Sequence, residues 1–421
     1  MINYLARSGH CSTGMSDKRF ATLAVSEGEE PTWDGVGDAV KPIHMASTFA
    51  LPELDPEMSL EDLNPDAGDY VYSRLSNPTR NALEHRLAAI EGGEYAYAFA
   101  SGTSAISTLA MAAVQPGDHI VAFEDLYGGT HTLLEELFDE HLGVEVSFVD
   151  ATDPQNVADA MRPETEFVWM ETPTNPLMQL CDIEAIAEVV GDDAIFGVDN
   201  TFMSPYFQRP LELGADVVAH STTKYINGHS DSVGGAVITS DDDLAEMVEF
   251  LQQVGIGNML PPFDSYMVMR GVKTLPVRMP QHEANAQVIA EYLEDHDLVT
   301  DVHYPGLESH PQHELASEQM SGYGGLISFE LEGEMSDARA FLESLEEFTL
   351  AVSLGGVESL IELPAGMTHE PLDPEEREAR GITDTLIRIS VGIEDIDDLI
   401  EDLDRGFEAV EAERSAVASD D

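Results

Sequence analysis

Apolar and polar positions follow two periods along this chain, and the switches between them mark its elements. RNALEHRLAAIEG (80–92) carries apolar residues at helical spacing and stops at Gly92–Gly93. YAYAFASG (95–102) reads as a strand entering a turn of small residues, and TSAISTLAMAAV (103–114) as a helix ended by Pro116–Gly117. HIVAFEDLYGG (119–129) is a strand and loop, TLLEELFDEHLG (132–143) an amphipathic helix, and VEVSFVD (144–150) a strand. Strand EFVWMET (166–172), helix CDIEAIAEVVGD (181–192), strand AIFGVD (194–199) and strand DVVAHSTT (216–223) continue the series. Strands alternating with helices of this length imply βαβ units on a mostly parallel sheet. The strands end in polar residues, at Ser101, Glu171, Asp199 and Ser221 to Lys224. Ligands of open α/β sheets gather outside the carboxyl ends of the strands, so these residues are expected to share one pocket.

The character changes after about residue 265. Residues 266–296 form a long helical stretch that Pro276 and Pro280 are expected to kink or divide. Strand GGLISFELEG (324–333), helix DARAFLESLEE (337–347), strands FTLAVSLGG (348–356) and TLIRISVGI (385–393) and an acidic helix from Asp395 follow in mixed order. Before residue 70 the chain is irregular, rich in Gly, Pro and acid, with one apolar piece, IHMASTFAL (43–51). The expected organisation is an arm (1–69) that wraps a partner, a large α/β domain (70–265) and a smaller α+β domain (266–421).

Charge narrows the function classes. The chain holds 81 Asp and Glu against 19 Lys and Arg, a formal net charge of −62. That excludes binding to a phosphate backbone or an anionic membrane, both of which need basic clusters. The acid is thickest in EEPTWDG, DPEEREAR and EDIDDLIEDLD and interleaves with apolar helical positions. It reads as the solvated surface of a protein adapted to high salt, with a docking face for a basic partner as the rival. Two cysteines, Cys11 and Cys181, are too few for a disulfide framework, and Cys181 is expected to pack at a helix start. A reducing cytoplasm fits, and no charged-then-apolar signal pattern opens the chain. The most apolar stretch, 96–114, is broken by Ser, Thr and Gly and is not a membrane span. His310 and His313 flank Pro311 without a ligand pattern, so no metal site is expected.

Against this acidity one lysine stands out. The chain has four, Lys18, Lys41, Lys224 and Lys273, and Lys224 lies in the small polar run HSTTKYINGHSD (220–231). A lysine among hydroxyls suits amine chemistry, such as holding a carbonyl cofactor as a Schiff base. Asp199 ends a strand, where a carboxylate could keep a pyridine nitrogen protonated or simply cap a turn. Ser101–Gly102–Thr103 lies between strand and helix, as either a phosphate cradle or an ordinary N-cap. Tyr127 follows a strand of the same sheet, placed to stack on a flat ring and relay a proton or to half-bury in a loop. Tyr72 and Arg74 alternate in a piece read as extended, so phenol and guanidinium point the same way, an arrangement suited to a phosphate. No GxxxxGK[ST] loop occurs, and GIGNML (255–260) lacks the third glycine of a dinucleotide fingerprint.

YSRLSNPTR (72–80), SGTSAI (101–106), YGGT (127–130), ETPTNP (171–176), VDNTF (198–202), STTKYINGHSD (221–231), SLGGVESL (353–360) and RISVGIED (388–395) occur in that order. Together they resemble the γ-subgroup of pyridoxal-phosphate enzymes of cysteine and methionine metabolism, from about Phe20 to the last helix. The resemblance implies a fold type I α/β protein, with a mostly parallel seven-stranded sheet domain and a smaller α+β C-terminal domain. It implies pyridoxal 5′-phosphate bound to Lys224, Asp199 at the ring nitrogen with Thr201 nearby, and Tyr127 stacked on the ring. Ser101, Gly102, Thr103, Ser221 and Thr223 would hold the phosphate, joined by Tyr72 and Arg74 reaching from a neighbouring subunit. Asn175, Ser353 and Arg388 would hold the substrate's α-carboxylate. A homodimer is then the minimum active unit, and a homotetramer the usual assembly.

Lys224 and Tyr127 would be the catalytic pair. The implied reaction is trans-sulfuration at Cγ of an amino acid, as in cystathionine γ-lyase or γ-synthase. O-acetyl- or O-succinylhomoserine sulfhydrylase and methionine γ-lyase are the alternatives, and an inactive salt-adapted scaffold a remote one. Two positions divide the subtypes: Gly129 resembles the cystathionine enzymes, whereas Val352 stands where many γ-lyases carry Glu.

Overall fold

The computed structural model describes residues 18–29, 36–51, 64–368, 375, 377 and 380–420. Cys11 and most of the acidic runs at 29–35 and 373–380 lie outside the described residues.

A seven-stranded sheet organises the first part. Its strands are β1 (Tyr95–Phe99), β2 (His119–Phe123), β3 (Glu145–Val149), β4 (Thr165–Glu171), β5 (Ile195–Asp199), β6 (Val217–His220) and β7 (Gly235–Thr239). They lie in the order β1-β7-β6-β5-β4-β2-β3. The pairs from β6 through β3 are parallel, and β7 alone runs against its neighbours. β1, β2, β4, β5 and β6 therefore all end at the same edge. The middle strands are apolar on both faces, as helices on each side require; Ile120, Val121, Ala122, Phe123, Val168 and Val198 are fully buried. The helix Gly102–Ala113 contributes Ala105, Ile106, Leu109 and Ala110 to that core, and Leu109→Ala would cost about 2–5 kcal/mol.

A second sheet of five strands follows: β8 (Val299–His303), β9 (Leu326–Leu331), β10 (Thr349–Leu350), β11 (Leu360–Glu362) and β12 (Leu386–Ser390), ordered β10-β11-β12-β9-β8. The long helices Leu275–Glu294 and Ile396–Asp420 pack near it, and Ile289, Leu293, Leu399, Leu403 and Phe407 join Phe329 and Ile389 in its core. A separate apolar cluster joins the two sheets' territories: Met178, Phe202, Phe207 and Tyr225 meet Leu275, Met279, Met320 and Leu354.

The elements depart from the sequence pattern in definite places. β7, β8, β11 and the helices Pro154–Ala160 and Asp242–Phe250 carry no prediction above, and the strand expected at 348–356 pairs only over Thr349–Leu350. The expected irregular arm contains a helix, Phe20–Ser26, whose Leu23 and Ala24 are buried against the helix Pro78–Glu91. Within 266–296 the chain breaks between Val272 and Leu275. Pro276 then sits in the first turn of the next helix, Leu275–Glu294, where its missing N–H is tolerated, and that helix runs on through Pro280. Tyr72 forms a β-bridge with Thr48, but Arg74 does not continue an extended piece. The chain turns there, with the N–H groups of Leu75 and Ser76 donating to Tyr72 O, and the turn brings the Arg74 guanidinium 5.5 Å from the Tyr72 ring centre.

Candidate active site

The site forms where the shared edge of the large sheet meets the second sheet. Lys224 lies in the turn after β6, buried on most sides, and its Nζ donates to Ser353 Oγ at 2.7 Å. Burial lowers the Lys224 pKa to about 8, helped by the Arg388 charge and opposed by Glu362. Ser353 comes from the SLGG segment, which presses on the lysine turn. Gly355 has φ +76° and a side chain there would meet Tyr225 N at 2.6 Å, so only glycine admits this approach. Ser353 itself holds φ 95°, a strained backbone for a residue with a Cβ.

The same serine orients a second cation. Arg388, in the middle of β12, donates through Nη2 to Ser353 O at 2.7 Å and through Nη1 to Asn175 Oδ1 at 2.8 Å. Across the strand pair, Glu362 of β11 lies 3.0 Å from Nη1, and both side chains are buried. Ser328 of β9 donates to Pro176 O at 2.6 Å, fixing the ETPTNP loop against this sheet. Asn175, Ser353, Arg388 and Lys224 are thus joined by direct bonds.

The cradle residues also converge. Ser101 Oγ caps the helix Gly102–Ala113 by accepting from Ser104 N at 3.1 Å, and first-turn N–H groups such as those of Gly102 and Thr103 have no intrahelical acceptor. A Cβ on Gly102 would stand 2.9 Å from Ser221 Cβ, so the Ser101 and Ser221 turns are in contact. Ser221 N donates to Thr201 Oγ1 at 2.8 Å, and Thr201 donates through N and Oγ1 to Asp199 Oδ1 at 3.0 and 2.5 Å. The Thr223 hydroxyl instead donates to Gly234 O at 3.2 Å and accepts from Gly234 N at 3.0 Å. Tyr127, half exposed, starts the short helix after β2, and its N–H donates to Glu171 Oε2 at 2.8 Å.

Two carboxylates sit side by side at the strand ends, since Glu171 of β4 is in register with Asp199 of β5. Burial raises the pKa of both, and the charge of Asp199 pushes Glu171 further up, while the Thr201 bonds and His220 counter the rise at Asp199. A ring that brings a positive N–H against Asp199 relieves this crowding. With a buried amine of lowered pKa and an anion-binding helix start, the residues fit a pyridine aldehyde phosphate.

Tyr72 and Arg74 stand apart. Tyr72 bridges Thr48 and lies under the Arg74 guanidinium, which donates to Gln253 O; neither residue is bonded to Lys224. Glu171, expected in the pocket as a strand end, gains its place beside Asp199. Glu362 is a site residue that the sequence pattern did not point to, and a lone acid in the apolar run LIELP was its signal. His220, bonded to Glu91 at 2.6 Å in the layer beneath Asp199, is another. Cys181 is fully buried, and burial pushes its thiol pKa up, away from nucleophile chemistry. His313 Nδ1 is bonded to Pro305 O, and no group of three metal-ligating side chains occurs among the described residues. No described helix is long and apolar enough to cross a membrane.

Fold and site together define a pyridoxal-phosphate-dependent enzyme. The chain belongs to the Cys/Met metabolism PLP-dependent enzymes, whose family model matches residues 21–408. It is 47% identical over 396 residues to the cystathionine gamma-lyase of Mus musculus, covering 94% of this chain and 96% of that one. It is 46% identical to a cystathionine beta-lyase of Coxiella burnetii, covering 91% and 96%. Among solved structures, cystathionine gamma-lyase from Lactobacillus plantarum complexed with L-serine superposes with a TM-score of 0.87 at 42% identity, covering 94% and 100%. The metB protein of Corynebacterium glutamicum gives 0.86 at 44%, covering 93% and 98%.

The lowered Lys224 pKa has a direct consequence. Capture of a cofactor aldehyde by Lys224, the role the resemblance implies, needs the neutral amine, which is scarce below the folded-state pKa. The rate of pyridoxal phosphate uptake by apo-protein is expected to climb about tenfold per pH unit and to level off above pH 8. Stopped-flow absorbance checks this; a climb continuing to pH 10 would mean an ordinary exposed amine.

Proposed function

We propose that this enzyme cleaves the Cγ–S bond of cystathionine, with water yielding cysteine, 2-oxobutanoate and ammonia, and that the same residues support γ-replacement. The observation that carries the chemistry is the double use of Ser353: its hydroxyl takes the Lys224 amine and its carbonyl the Arg388 guanidinium. An amino acid anchored by its carboxylate on Arg388 and Asn175 thereby presents its α-carbon to Lys224 Nζ. Likeness to the gamma-lyases supports the choice of cystathionine.

When bound, pyridoxal phosphate supplies an aldehyde for the substrate amine and a ring that accepts the electrons released at Cα. Lys224 would hold the cofactor through Nζ and supply the same atom as base for the α-proton. Asp199, steadied by Thr201, would keep the ring nitrogen protonated. Tyr127 would face the ring and carry a proton toward the departing sulfur. Ser101, Gly102, Thr103, Ser221 and Thr223 would bind the phosphate, and Tyr72 and Arg74, which are not bonded to their own Lys224, would serve the phosphate of a neighbouring subunit. A homodimer is then the smallest active unit, assembled as a homotetramer, acting in a cytoplasm of high salt that screens the net charge of −62.

One observation favours a second reading. Val352, half exposed beside Ser353, offers no charge to the distal ammonium of cystathionine, which leaves room for methionine or an O-acylhomoserine as substrate. Gly129 counts against methionine γ-lyase, where a Cys is typical: a Cβ there would come within 2.5 Å of Tyr127 Cε1 and displace the ring. A panel of cystathionine, methionine and O-acylhomoserines with cysteine or sulfide, run in molar salt and scored for 2-oxobutanoate and thioether, separates them. Turnover of cystathionine above the others is expected; none in either direction overturns the proposal.

A further inference from the structure

The segment bearing Arg74 is gripped by a buried polar relay. Arg80, 2% exposed, donates from Nη1 to Ser73 O and from Nη2 to Leu75 O, both at 2.8 Å. One planar fork therefore holds the carbonyls on either side of Arg74. Its Nε lies 3.4 Å from Glu84 Oε1, one helical turn further on. That oxygen also accepts from Ala98 N of β1 at 3.0 Å, and Gln252 Nε2 donates to Ala98 O at 2.9 Å. The next residue closes the loop, because the Arg74 guanidinium donates to Gln253 O.

Both the backbone and the side chain of Arg74 are thus tied to β1, the strand that delivers Ser101 and the helix start of the chain's own phosphate cradle. A buried arginine and glutamate are costly to desolvate, so their presence is explained poorly by stability alone. We propose that Arg80, Glu84 and Gln252 are positioning residues for cofactor retention, acting through Arg74 by fixing where its guanidinium meets a neighbouring subunit's phosphate. The inference rests on the role given to Arg74 above.

The test is a double-mutant cycle on full-length apo-protein, titrated with pyridoxal 5′-phosphate and, separately, with pyridoxal, following fluorescence quenching. Arg80→Lys keeps the charge and loses the two-carbonyl fork. It is expected to weaken pyridoxal phosphate binding about tenfold, leave pyridoxal binding unchanged, and have almost no effect in an Arg74→Ala background. Equal losses in both backgrounds, equal losses for both ligands, or no loss at all would overturn the proposal. If Arg74→Ala alone leaves the affinity unchanged, the role of Arg74 itself fails, which is a distinguishable result. Should Arg80→Lys not fold, the isosteric Glu84→Gln is put through the same cycle with the same expected pattern, and additivity there overturns the proposal equally.

Discussion

Lys224→Ala is expected to abolish the absorbance that the bound cofactor shows at the edge of the visible range, and to lower turnover about ten-thousandfold. The change removes the amine proposed both as attachment point and as base for the α-proton, the one that donates to Ser353 Oγ at 2.7 Å. Stability should move the other way. Burial holds the Lys224 pKa at about 8, against 10.5 for the ordinary side chain. The folded state therefore disfavours the ammonium, a penalty fully present below pH 8 that fades as pH rises from 8 toward 10.5. Removing the lysine relieves it, so the cofactor-free variant should unfold at the same temperature as cofactor-free wild type or higher near pH 7, bound cofactor being a separate stabilisation of the wild type. Calorimetry of the cofactor-free proteins and absorbance spectra of the cofactor-supplied ones check both halves. Loss of the band together with a large drop in melting temperature would point to a damaged fold rather than a missing amine.

Arg388→Leu is the second large effect, and it separates binding from folding. Arg388 is enclosed by Asn175, Ser353 and Glu362 at 2.7 to 3.0 Å. Deleting it strands the Glu362 carboxylate inside the protein, where burial already raises its pKa. A charge left without its buried partner costs about 3–5 kcal/mol. Amino-acid affinity should fall about a hundredfold or more, because the charge-assisted contact proposed for the carboxylate is gone. The double variant Arg388→Leu/Glu362→Leu removes the stranded charge. It should recover most of the stability in denaturant titrations while binding amino acid as poorly as the single variant. If affinity returned with stability, Arg388 would be a structural residue and the carboxylate anchor would have to be sought elsewhere.

Much of this arrangement is legible in the sequence. The βα alternation was strong because helices of ten or more residues separated short apolar runs, and the polar strand ends pointed to one edge. What escaped shares physical causes. β7, GAVIT, is buried along its whole length and so lacks alternation. β11 spans three residues and β8 is partly exposed, too little pattern to register. The helix Asp242–Phe250 had its signal in plain view, an N-cap at Asp241 that accepts from Leu244 N at 2.7 Å. Tyr72 and Arg74 do face one another, yet through a turn rather than the extended piece that alternation implied. Glu171 was placed at the shared edge by its strand end, but Glu362 was invisible as a site residue because an acid's meaning depends on its neighbour across the sheet. In sequence Glu362 is one of 81 acids; in the fold it faces Arg388.

The central claim is cleavage at Cγ, and relatives of nearly equal identity include both a gamma- and a beta-lyase. Product analysis of cystathionine turnover in molar salt tests it most directly. Cysteine and 2-oxobutanoate in equal amounts are the expected products. Homocysteine and pyruvate, the products of cleavage at Cβ, would contradict it.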